Sequence, residues 1–127
     1  MRKRTKYTLE FPVNASPTIL FDCISSPSDL SRWFCQDVNV RDHTHYTFNW
    51  EQSTQDAILL KTVPNKLIRF HWIDSHPDEY FELEIMQDEL TGDVAILVTD
   101  FCDEDELEES QNLWHSQIDD MKHNIGS

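Results

Sequence analysis

The stretch LEESQNLWHSQIDDMKHNIG, residues 107–126, decides the reading of this chain. Within it Leu107, Trp114, Ile118, Met121 and Ile125 recur at the three- and four-residue spacing that gathers side chains on one face of an α-helix. About 20 helical residues reach roughly 30 Å, the width of a small domain. Just upstream, Asp103 is placed to cap the helix, and Glu106 follows three residues later. Asp and Glu crowd the first turn, where the helix macrodipole favours negative charge. Gly126 stands where a helix closes in a left-handed cap. A long helix with one apolar stripe needs a broad apolar surface to lie on, and the preceding residues supply one as strands.

Val94 to Phe101 is apolar on both faces, which predicts a strand inside a sheet or one that meets a second copy of the chain. Tyr80 to Met86 sets Phe81, Leu83 and Ile85 against Glu82 and Glu84, the alternation of a half-exposed strand. Leu67 to Ile73 alternates with Ile68, Phe70 and Trp72 on one face, and Ala57 to Val63 precedes it across the turn Pro64-Asn65-Lys66. Tyr46, Phe48 and Trp50 form another strand and Val38 and Val40 a short one. At the other end Tyr7, Leu9, Phe11 and Val13 begin the sheet. Ser16-Pro17 and Ser26-Pro27 then start two short helices, since serine caps and proline suits the first helical position. Their apolar faces carry Leu20, Cys23 and Ile24, then Leu30, Trp33 and Phe34. Strand, two short helices, antiparallel strands and one long helix is an α+β order, which excludes a doubly wound parallel sheet. The 127 residues, 39% of them hydrophobic, suffice for one core, so one domain over 1–127 is expected.

With this order the chain resembles the START-like group of the SRPBCC superfamily, the polyketide-cyclase and lipid-transport proteins that share the helix-grip fold of Bet v 1-like pollen allergens. The resemblance is carried by Leu30-Ser31-Arg32-Trp33-Phe34, by Asn65-Lys66-Leu67-Ile68-Arg69-Phe70-His71-Trp72, by Asp88-Glu89-Leu90-Thr91-Gly92-Asp93 and by Trp114, and it extends over the whole chain. Within the group it is similar to homologues of the activator of the heat-shock-protein ATPase. Those relatives have a glycine-rich turn where this chain has Arg41-Asp42-His43-Thr44-His45. The resemblance implies a curved antiparallel sheet, with two short helices, gripping the C-terminal helix, and a small apolar or amphipathic ligand between sheet and helix. Trp50, Phe70, Trp72, Gln111 and Trp114 are the residues it implies for that contact, with Phe101 a further aromatic candidate. Gln111 stands out because it lies four after Leu107 and three before Trp114, where the stripe calls for an apolar residue. A co-chaperone-like protein-interaction module is the alternative the resemblance offers, and a cyclase-type enzyme a third.

Composition narrows the partners. Lys and Arg number 10 against 24 Asp and Glu, and the net charge of −14 repels nucleic acid and anionic membranes. Nothing approaches the ~18 consecutive apolar residues of a membrane span. The basic cluster Arg2-Lys3-Arg4-Lys6 is followed by the charged alternation Tyr7-Thr8-Leu9-Glu10 and not by an apolar signal core, so a cytoplasmic location is expected. Cys23, Cys35 and Cys102 show no paired spacing and read as free thiols. His43 and His45 alternate as a metal pair would, yet no third ligand follows by spacing, so no metal or cofactor is assigned. His71, Asp100 and Tyr46 could serve acid-base chemistry, but no motif fixes them and no catalytic residue is assigned. Asp103-Glu104-Asp105-Glu106, with Glu108 and Glu109, offers a docking surface to a basic protein partner. The chain is expected as a monomer or a homodimer.

Overall fold

The structure is a computed structural model, and it describes residues 3–126. Arg2 of the basic cluster lies outside them. The elements run β1 (Arg4–Val13), α1 (Pro17–Ser25), α2 (Pro27–Trp33), β2 (Asp37–Arg41), β3 (His45–Trp50), β4 (Ser53–Val63), β5 (Leu67–Trp72), β6 (Phe81–Gln87), β7 (Val94–Asp103) and α3 (Leu107–Ile125). The strands form one antiparallel sheet in the order β1-β7-β6-β5-β4-β3-β2, the helix-grip arrangement. β7 lies between β1 and β6, as its apolar run predicts. Its outward residues Ala95 and Leu97 are only half-covered, so the run is not buried on both faces.

Period-two burial fixes the register. Tyr7, Phe11 and Val13 of β1, Ile96 and Val98 of β7, Phe81, Leu83 and Ile85 of β6, and Ile68 and Phe70 of β5 all turn to the inner face. A one-residue slip of any of these strands would carry its apolar set into water. A bulge between Leu59 and Lys61 interrupts the β4–β5 ladder, a device that bends a strand and adds to sheet curvature. On the inner face lies α3, with Trp114, Ile118 and Met121 buried, as their spacing predicts. Among the described residues no helix is long and apolar enough to cross a membrane.

Ser16 caps α1 by accepting a hydrogen bond from the Ile19 amide at 3.2 Å, and Pro17 takes the first helical position. Ser26 occupies the corresponding place before α2 without a capping side-chain bond. α3 begins at Leu107, four residues beyond Asp103, because a 3-10 turn over Glu104–Glu106 intervenes. The C-terminal stop is as predicted: Gly126 has φ 72°, a left-handed conformation that costs a side-chain-bearing residue strain.

Candidate functional site

The space between the sheet and α3 is occupied by aromatic rings, and Phe34 is at their centre. It follows the last residue of α2 and is 5% exposed. Its ring lies 5.2 to 6.4 Å from those of Trp33, Phe48, Trp50, Trp72, Phe81 and Trp114. Such edge and stacked contacts add about 0.5–1.5 kcal/mol each to the area buried. The backbone of Phe34 is fixed too: its carbonyl accepts from the Trp50 indole at 2.9 Å and from the Gln117 amide at 3.5 Å. Phe34 thus packs against rings of both the sheet and α3.

Beside this cluster is a recess of about 100 Å³, lined by Arg4, Trp72, Ser75, Glu79, Tyr80, Asp100 and Phe101. Trp72 forms its inner wall and also stacks on Phe81 at 4.9 Å, so recess and ring cluster share that indole. Asp100 comes from the inner-facing series of β7, opposite Tyr7 of β1. One of its oxygens accepts from the Phe101 amide and the other from the Trp114 indole, each at 2.8 Å. Burial pushes the Asp100 carboxyl up from its ordinary value, against the pull of those donors. Glu79 is 7% exposed and ion-paired to Arg4, whose nitrogens reach its oxygens at 2.5 and 2.9 Å. That hydrogen bonding holds the Glu79 carboxyl below the usual range. Arg4 also reaches Asp103 at 3.0 Å. Nearby, the Tyr7 and Ser110 hydroxyls hydrogen-bond each other, tying β1 to α3.

The candidate residues read from sequence fall into two groups. Phe70 and Trp114 are buried, at 1% and 5% exposure, and Trp50 and Trp72 are half-buried in the same ring cluster. Gln111 is half-buried on α3. Phe101 turns the other way from Asp100 and packs edge-on to Tyr80 at 5.3 Å, with the Lys6 ammonium above it. It reaches only the recess wall. His71 donates through Nδ1 to the Glu79 carbonyl at 2.8 Å and is not part of the recess, whereas Asp100 is.

His43 and His45 do not share a strand face. His43 sits in the β2–β3 turn with φ 62°, next to Asp42 at φ 54°, while His45 opens β3 and approaches Asp56 at 3.5 Å. The three cysteines are unpaired and buried, and burial pushes the Cys35 thiol up to about 11. Phe34, Glu79 and Arg4 carry no local signal for the site, because residues far apart in the chain bring them to it. Asp100 does carry one: it is the charge within the apolar run of β7.

The sequence pattern of the START-like superfamily domain matches residues 1–127. A Bacteroides fragilis protein of known solution structure is 32% identical, with 98% of this chain and 93% of that one aligned at a TM-score of 0.68. The Aha1 dimer of Colwellia psychrerythraea is 14% identical, covers 93% of each chain and gives a TM-score of 0.77. DynU16, from the dynemicin biosynthetic locus, gives 0.82 at 12% identity, over 96% of this chain and 47% of its own. At those lower identities the likeness is one of fold. No curated protein matches the chain.

Proposed function

Since the chain belongs to the START-like superfamily domain family over residues 1–127, we propose that it is a non-catalytic module binding a small apolar or amphipathic ligand between sheet and α3. The observation that carries this reading is the recess beside Trp72, which joins a polar wall to the ring cluster. A ligand with a polar end in the recess would extend along Trp72 toward Trp50, Phe70 and Trp114, with Gln111 at the flank of α3. At about 100 Å³ the recess is well below the ~300 Å³ of ordinary small-molecule sites. Anything longer therefore has to displace Phe34, and large sterol-like ligands are disfavoured. The buried free thiols support a reducing compartment such as the cytoplasm, and the unit is read as a monomer or homodimer.

The test is titration with octyl probes (alcohol, ammonium and carboxylate), followed by NMR of the indole N–H groups. Shifts at Trp50, Trp72 and Trp114 are expected. Shifts confined to outward-facing residues would count against the reading.

The filled slot favours a second reading, a co-chaperone-like module that binds a basic protein through the exposed acidic residues Glu104, Asp105, Glu106, Glu108 and Glu109. That reading requires binding which weakens steeply with salt and leaves the indole signals unmoved.

A further inference from the structure

The charged groups that line the recess beside Trp72 are Arg4, Glu79 and Asp100. Arg4 is its one permanent cation, and Arg4 is already held by Glu79 and Asp103. Asp100 has no ion-pair partner among the described residues and receives only two hydrogen bonds, from Phe101 and Trp114. A carboxylate has about four acceptor positions, so roughly two of those on Asp100 remain open. A partly buried carboxylate left in this state is costly, and a bound cation with N–H donors removes the cost.

The other walls are less committed to charge. Tyr80 already holds Lys6 at 5.5 Å and Arg69 at 4.5 Å over its ring, and Phe101 holds Lys6 at 6.0 Å, which leaves Trp72 as the aromatic wall without a cation of its own. Ser75 donates its hydroxyl to the Trp72 carbonyl at 2.8 Å, which leaves its oxygen able to accept. The volume equals that of about three liquid waters, enough for an ammonium with one or two methylenes.

From the open acceptor positions of Asp100, the committed Arg4 and the Trp72 wall, we propose that the recess takes the headgroup of an amphipathic primary amine. Its alkyl chain runs past Trp72 toward Phe34, so the inference rests on the reading of the sheet–helix space as a ligand site. The ammonium donates to Asp100 and to the Ser75 oxygen. No bond is made or broken.

Calorimetric titration of the full chain with octylammonium, octanol and octanoate tests it, using the wild type, Asp100→Asn and the exposed charge control Glu89→Gln. Octylammonium is expected to bind at least about tenfold more tightly than octanol, as hydrogen bonds to charged groups do, and octanoate most weakly. Asp100→Asn should lose that preference and still bind octanol, while Glu89→Gln, with the same change in net charge, keeps it. Equal affinities in the wild type, or a preference that survives Asp100→Asn, would overturn the headgroup assignment. If no octyl probe binds or moves the indole signals, the ligand-site reading itself fails, and the amine proposal with it.

Discussion

Asp100 breaks the pattern of the strand that carries it, since Val94, Ile96 and Val98 on the same face are fully apolar and buried. Its carboxyl is pushed up by burial, so the folded chain binds a proton at this residue more tightly than the unfolded chain. The cost to stability is therefore complete above the folded pKa and vanishes below the unfolded one. Asp100→Asn removes that cost but turns an amide NH2 toward one of the two donors, so its Tm relative to the wild type should be lowest near pH 3 and rise by roughly 2–4 °C toward neutral pH, by thermal unfolding at both. A Tm difference that does not change with pH would mean the ionised carboxylate costs nothing. Glu79 runs the opposite way: Arg4 holds its carboxyl low, and that stability is present above the ordinary carboxylate range and lost as pH falls through the folded pKa. Because Arg4 is partly exposed, solvent screens the pair, and Arg4→Ala should cost about 1–2 kcal/mol at neutral pH, mostly from the stranded Glu79. Urea unfolding should show the loss shrinking as pH is lowered through that range.

The helices show how much of the architecture local sequence encodes. α1 and α2 both start at Ser-Pro, yet only Ser16 uses its hydroxyl to cap. Ser16→Ala should cost about 1 kcal/mol and Ser26→Ala distinctly less, measured by chemical denaturation; equal losses would mean the cap bond contributes nothing. α3 was legible from Leu107, Trp114, Ile118 and Met121 because a stripe at helical spacing is a local signal. Its first turn was not, because acidic residues suit a 3-10 turn and an α-helix alike. Phe34 read as part of a helical apolar face, and nothing nearby in sequence shows that its ring meets β3, β5, β6 and α3. Those contacts exist only once the sheet is assembled. Phe34→Leu should lower stability, and Phe34→Ala should cost about 3–5 kcal/mol. If Phe34 closes the slot, Phe34→Leu should also bind octanol more tightly than the wild type.

At the scale of the molecule, β1 and β7 lie side by side although they stand at opposite ends of the sheet-forming sequence, and this pairing sets Tyr7 opposite Asp100. Period-two alternation gave each strand's inner face without naming its neighbours, so the fold class was readable and the recess, built where β1, β7 and the β5–β6 connection meet, was not. Charge acts over the same range. With 24 acidic and 10 basic side chains, most of the acids at the surface, the folded chain repels itself more than the expanded one does. Salt shortens the reach of that repulsion to about 8 Å at physiological strength and about 3 Å at 1 M. Tm should accordingly rise between low and near-molar sodium chloride, and a fall would mean that surface ion pairs such as Arg32–Asp29 outweigh the repulsion. The same screening separates surface attraction from the recess, because buried pairs are screened much less than exposed ones. A preference for octylammonium over octanol that persists at high salt belongs to the recess, and its loss in Asp100→Asn assigns it to Asp100; one that fades with the Debye length comes from the acidic surface.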